Sequence, residues 1–292
     1  MKLRRSLLFI PGNNPSMLQN GGVFGADSVI LDLEDAVSPN EKDAARLLVA
    51  HALRHVDYGT SETVVRINGL DSFGSEDIRR IVPCEPGALL VPKVQCAEDI
   101  HTAVAKIAQA ERREQKKVKI IALIETPRGL AECHAIARAD ERVVALAFGA
   151  EDYTAGIGAQ RTKESIEIST ARMLLVNAAA AAEIQAIDTP YTDAGDDLGM
   201  ETDTTMAKQL GFKGKLAINP RQIDIIHSVF NPSQQEIAWA HQVIQAIRQA
   251  EAEGSGVASL QGKMVDAPIV NRAERIIKLT QVLGLSQEVV PC

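Results

Sequence analysis

Eight short apolar segments recur along the chain, at residues 6–10, 28–33, 63–67, 88–91, 119–124, 143–148, 185–188 and 215–218. Each is followed by a polar or Gly/Pro turn and then by a helical pattern, and no other feature restricts the fold as much. The segments are apolar throughout rather than alternating, as expected of parallel strands covered on both faces. Helical periodicity falls between them: residues 40–55 behind an N-cap candidate at Asn40, then 97–114, 165–182, 200–210 ending at Gly211, and 220–229. Strand–helix alternation repeated in this way predicts an α/β fold, a (β/α)8 TIM barrel, over residues 1–230. A doubly wound open sheet is the alternative. Such sheets usually have fewer strands and often carry a Gly-rich phosphate turn after the first, and no G-x-G-x-x-G occurs here.

Past residue 230 the barrel is complete. Residues 231–253 read as one more amphipathic helix, a GSG turn follows at 254–256, and a last helix begins near Pro268. Residues 231–292 are therefore expected to form a C-terminal helical extension, too short for a domain, that covers the barrel or reaches a neighbouring subunit. Only 3% of residues are aromatic, so Leu, Ile, Val and Ala have to fill the core.

The net charge of −7, with no Lys/Arg run, argues against nucleic acid as a partner. The opening MKLRRSLLFIPGNN imitates a secretory signal, but its apolar run ends after about five residues, too short for an h-region. No stretch approaches the roughly 20 apolar residues of a membrane span. A cytoplasmic protein is expected. The cysteines, Cys84, Cys96, Cys133 and Cys292, form no C-x-x-C pair, and reduced thiols are the simplest reading. The histidines all lie in helical stretches and read as structural or surface residues.

In a barrel, chemistry is carried where strands end at the C-terminal rim. The strand ends here supply PGNN; Asp32, Glu34 and Asp35 of DLED; Arg66 and Asn68; Lys93; Glu125; Glu151 and Asp152; and Asn219 and Arg221. Glu125 and Asp152 come from adjacent strands. Two carboxylates without suitably spaced His or Cys suit a hard, oxygen-loving ion such as Mg²⁺, although either acid could equally cap the helix it precedes. Arg66 could clamp a carboxylate or stabilise an oxyanion, or could form a structural ion pair with Asp32, Glu34 or Asp35. The DLED acids would orient Arg66 or hold water around a metal, with Lys93 pairing to them. PGNN offers backbone N–H groups to a phosphate, with Arg5 adding positive charge.

Taken in order, RRSLLFIPGNN, LDLEDAV, EKDAAR, VRIN, IETPRGL, GAEDY, GFKGKLAINPRQI and GKMVDAP resemble the citrate lyase β-subunit-like family. This family stands with the citramalyl-CoA and malyl-CoA lyases in the HpcH/HpaI aldolase superfamily. The similarity runs from about residue 3 to about residue 280. The resemblance implies a (β/α)8 barrel assembled as a homotrimer, one Mg²⁺, and a substrate carried as a thioester on coenzyme A or a carrier protein. Glu125 and Asp152 match the family's metal ligands and Arg66 its substrate arginine. Asp266 matches an acid supplied across the subunit interface. Phe9, Arg5, Ile218 and Asn219 match positions lining the thioester side.

The implied reaction is retro-Claisen cleavage of a 3-hydroxy-3-carboxyacyl thioester. Arg66 would stabilise negative oxygen and Asp266 would protonate the departing enolate carbon. The base for the hydroxyl proton stays open between Glu34 and a metal-bound hydroxide. The segment TPYTDAGDDLGMETDTTMAKQLGF is more similar to stand-alone relatives than to a complex-bound citrate lyase subunit, which leans toward citramalyl-CoA or a related CoA ester. Cleavage of a citryl thioester by a citrate lyase β subunit, and a thioester-independent 2-oxo-acid aldolase, are the alternatives.

Overall fold

The computed structural model describes residues 2–252, 257–260 and 262–285, and the turn expected at 254–256 and Cys292 lie outside them. Two compact units divide the chain, residues 1–230 and 231–292.

In the first unit, eight parallel strands close into a barrel in sequence order. They are β1 (Ser6–Pro11), β2 (Ser28–Asp32), β3 (Glu62–Arg66), β4 (Ala88–Val91), β5 (Lys119–Ile124), β6 (Val143–Phe148), β7 (Gln185–Asp188) and β8 (Gly214–Ala217). Four of these coincide with the expected segments, β1 and β2 differ by one residue at their C-terminal ends, and β3 and β8 are shifted by one residue toward the N-terminus. Alternate side chains divide between two layers, because successive residues of a strand point to opposite faces. Leu7, Ile30, Val64, Leu90, Leu123, Ile187 and Leu216 fill the barrel interior. Leu8, Leu31, Val65, Leu89, Leu146 and Ala217 pack outward against the helices. This double burial is the reason the strands read as continuous apolar runs. The interior is a packed core, and each fully buried Leu or Ile in it stabilises the fold by about 1.5–3 kcal/mol.

The seam between the first and last strands is set by Leu7↔Leu216 pairing. A Cβ at Gly214 would stand 1.8 Å from the Arg4 carbonyl oxygen, so only glycine lets the two backbones meet there.

The helices shift from their expected bounds for local reasons. Pro39–Glu41 forms a 3-10 turn ahead of the helix Lys42–His55, so Asn40 is not its N-cap. The helix Ala97–Ala110 stops short of residue 114 because Glu111 turns out of helical geometry, and its carboxylate takes Arg142 at 2.7 and 2.8 Å. The helix Asp197–Leu210 begins three residues earlier than expected, capped by the Asp196 side chain on Gly199 N, and ends at Gly211, whose φ is +110°.

Between β7, β8 and the helices Ile166–Ala181 and Asp197–Leu210 lies a buried quartet of charges. Arg172 grips Asp188 at 2.9 and 2.8 Å and Asp203 at 2.8 Å, while Lys215 Nζ lies 2.6 Å from each of the same two acids. Two cations face two anions, all are buried, and each charge is hydrogen-bonded, which is the condition for tolerating ions in a dry interior.

The second unit pairs the helix Gln234–Ala252 with the helix Ala267–Leu283, and an antiparallel hairpin, β9 (Ala258–Leu260) and β10 (Lys263–Val265), lies between them in sequence. Ala240, Val243, Val265 and Ala273 form its core. Among the described residues no helix is long and apolar enough to cross a membrane.

Candidate active site

Polar side chains gather where the strands of the first unit end. Arg66 closes β3 and is 9% exposed. Its Nε and Nη2 donate to the two carboxylate oxygens of Asp32 at 2.7 and 2.6 Å, and Asp32 is itself fixed by the backbone N–H groups of Glu34 and Ala36. The third nitrogen, Nη1, lies 3.1 Å from Glu34 Oε2 and 3.2 Å from Asp35 Oδ2. The guanidinium carbon stands 4.8 Å from the Phe9 ring centroid, a cation–π distance. Burial works against the Arg66 charge, but the hydrogen bonds and charge of Asp32 outweigh it and raise its pKa. The ion pair expected between Arg66 and the DLED acids is present, and the Arg66 side chain also lines the cavity at this rim.

Glu125 follows β5 and is 4% exposed. Its Oε1 accepts the Lys93 backbone N–H at 2.7 Å. Gly149 leaves room for it, since a Cβ there would lie 2.6 Å from Glu125 Cβ and 2.8 Å from Oε2. Burial pushes the Glu125 carboxyl up to about 8, with the charge of Glu34 adding to the rise. Burial likewise holds Glu34 up at about 7 in spite of the neighbouring Arg66. Asp152 stands half-exposed in the first turn of the helix Ala150–Ile157, whose start is pinned by Ala150 N donating to Thr189 Oγ1 at 3.1 Å. Lys93 Nζ reaches 3.6 Å from Glu34 Oε1 and 3.9 Å from Asp152 Oδ2.

Phe9, Arg66, Glu125, Asp152 and Ile218 all line one cavity of about 490 Å³ at this rim. Within the barrel unit, other expected residues do not join them. Arg5 precedes β1 and so stands at the opposite rim, where its guanidinium and backbone N–H hold Asp27 at 2.7–2.8 Å beside Ser6 and His227. It cannot serve the PGNN turn, where the Asn14 side chain itself takes the helix-start N–H of Met17. Asn219 spends its side-chain oxygen on Arg221 N, and Asn68 turns to Asp77. Asp266 belongs to the second unit, where it N-caps the helix Ala267–Leu283. Sequence reasoning missed Thr189, Pro190 and Met17 in the cavity wall. The strand-end rule points to the first two, because they follow β7 directly.

The donors fit a divalent, oxygen-seeking ion. Asp32, Glu34, Asp35, Glu125 and Asp152 outnumber the cations beside them, Arg66, Lys93 and the nearby Lys42, and the buried Glu34 Oε2 makes no hydrogen bond despite its ion pair. Among the described residues no three His, Cys, Asp or Glu side chains are placed to hold a metal. Two carboxylates with remaining positions left to water or substrate are the pattern Mg²⁺ tolerates and Zn²⁺ does not favour.

Residues 5–220 match the family described as HpcH/HpaI aldolase/citrate lyase. The chain is 45% identical to citrate lyase subunit beta of Haemophilus influenzae, across 95% of this chain and 97% of the relative. It is 32% identical to mitochondrial citramalyl-CoA lyase of Homo sapiens, across 94% and 85%. Its fold is similar to that of protein CitE from Mycobacterium tuberculosis in complex with magnesium, acetoacetate and coenzyme A. For that pair the TM-score is 0.78 at 29% identity, covering 96% of this chain and 98% of the other.

Proposed function

The chain belongs to the HpcH/HpaI aldolase/citrate lyase family, and from that premise we propose that it is a Mg²⁺-dependent carbon–carbon lyase acting on a 3-hydroxy-3-carboxyacyl thioester. The preferred substrate is citramalyl-CoA or a related CoA ester, cleaved to acetyl-CoA and a 2-oxo acid such as pyruvate. One observation carries the reading: Glu125, Asp152 and Arg66 meet at a single cavity beside the aromatic face of Phe9.

Mg²⁺, held by Glu125 and Asp152, would supply Lewis acidity to the substrate's hydroxyl and adjacent carboxylate. Glu34, held near neutrality by burial, is suited to take the hydroxyl proton. As that proton leaves, the C2–C3 bond breaks, C3 becomes the carbonyl of the 2-oxo acid, and the electron pair passes to the thioester as its enolate. Arg66, oriented by its Nε and Nη2 bonds to Asp32, would share Nη1 between Glu34, Asp35 and the developing negative oxygen. Asp266, supplied by a neighbouring subunit of a homotrimer, would return a proton to the enolate carbon. Asp266→Ala tests this role, and cleavage surviving within a few-fold removes it.

A second reading, a citrate lyase β subunit releasing oxaloacetate and acetyl-carrier protein from a citryl thioester, is favoured by the higher identity to citrate lyase subunit beta, 45% against 32%. A coupled assay over citryl-, citramalyl- and malyl-CoA decides between them. Turnover that persists in EDTA would refute the metal, and turnover of free 2-oxo acids alone would make the protein a thioester-independent aldolase. A cytoplasmic enzyme is the matching location.

A further inference from the structure

We propose that Lys93 is a tethered counter-cation of the metal site: its ammonium group, within 3.6–3.9 Å of Glu34 and Asp152, competes with Mg²⁺ for these acids and turns out to solvent when the ion binds. The inference rests on the metal reading above. Lys93 follows β4 with φ at +52°, a left-handed backbone that side chains with a Cβ rarely adopt. That conformation lets one residue address three carboxylates. Its backbone N–H fixes Glu125 Oε1 at 2.7 Å, and its Nζ lies 3.6 Å from Glu34 and 3.9 Å from Asp152.

The two kinds of contact differ in permanence. The backbone bond is short, and Glu125 beneath it is buried. The ammonium contacts are long, and the side chain is 51% exposed, so it can leave without stripping water from a buried ion. Arg66 is locked by its two bonds to Asp32, and Lys42 Nζ is held by the Leu33 and Glu34 carbonyls, so neither is able to follow. An ammonium and a divalent cation repel at such distances, so the site holds one or the other close to Asp152. Lys93 thereby sets metal affinity through its side chain and ligand geometry through its backbone, as a positioning residue.

Lys93→Met keeps the backbone donor and removes the charge, whereas Lys93→Arg keeps both. Mg²⁺ is titrated calorimetrically into the EDTA-stripped full chain without substrate. The expected result is that Lys93→Met binds Mg²⁺ roughly three- to tenfold more tightly than the parent, and Lys93→Arg within about twofold of it. Equal or weaker binding by Lys93→Met overturns the proposal. If the parent chain takes up no Mg²⁺, the metal reading itself fails, a distinguishable outcome. A second measurement needs no variant: amine acetylation of the parent, followed by mass spectrometry, is expected to label Lys93 faster once Mg²⁺ is added, with exposed Lys117 as internal reference. Labelling of Lys93 that Mg²⁺ leaves unchanged also overturns it.

Discussion

Two clusters of Arg, Lys and carboxyl side chains in the barrel unit behave in opposite ways. In the quartet under β7 and β8, Arg172 and Lys215 balance Asp188 and Asp203 one for one, out of contact with water. At the C-terminal rim, Arg66 and Lys93 face five carboxylates. Burial alone would raise the pKa of an acid in either place. In the quartet, Lys215 and Arg172 overcome burial and bring Asp203 down to about 2. At the rim, burial prevails for Glu125, which rises to about 8, and for Glu34, which rises to about 7. A balanced cluster is finished when the chain folds, whereas an unbalanced one is completed by what binds to it.

The largest effect should come from unbalancing the finished cluster. Lys215→Met leaves two buried aspartates with one cation, and breaking such a network costs about 3–5 kcal/mol. Urea unfolding of the variant measures it, and a loss under about 1 kcal/mol would mean that water reaches the quartet. Neutralising the rim should do the reverse. Glu125→Gln is expected to lower Mg²⁺ affinity by at least about a hundredfold while raising the melting temperature of the metal-free protein. If both properties fall, Glu125 has a structural duty that its geometry does not reveal. Gly149→Ala should cost about tenfold in Mg²⁺ affinity, because the new methyl must displace the Glu125 side chain; calorimetric titration reads this directly.

The smallest effect is on pH dependence. A carboxyl whose folded-state value is raised keeps a proton that the unfolded chain has already lost. Metal-free stability should therefore decline as pH rises from the ordinary carboxylate range through about 8. Asp203, shifted the other way, contributes stability at all pH values above its ordinary range and loses it only as pH falls toward 2. Denaturation at pH 5, 6.5 and 8 should show the decline, with Mg²⁺ reversing it and Glu125→Gln flattening it.

The contrast also explains what could be read from the sequence. The barrel was legible because burial on both strand faces writes an unbroken apolar run, eight times over. Glu125, Asp152 and Arg66 were legible because strand ends deliver side chains to one rim. Arg5 was misplaced because it enters its strand rather than leaving it, and strand direction alone sends it to the far side. Asn219 reaches the same rim beside Ile218, but the local turn that takes its side-chain oxygen is not written in the strand pattern. Lys93 was legible as a partner for the acids but not as a left-handed residue, since P-K-V carries no glycine or asparagine to announce a positive φ. The quartet was invisible, because Lys215 and Asp188 occur singly within short strands and only folding brings them together.

The glycine at the seam has a consequence for how the chain is made. β1 finds its second neighbour only in β8, more than 200 residues later. Until Gly214 has emerged from the ribosome, the growing sheet keeps two unpaired edges, at β1 and at its latest strand. Such edges are templates for pairing with other chains, and contacts between sequence-distant strands form slowly. Closing the seam is thus the step at which synthesis, folding and aggregation compete, and a bulkier residue at position 214 would show itself first as insoluble protein and only later as lost catalysis.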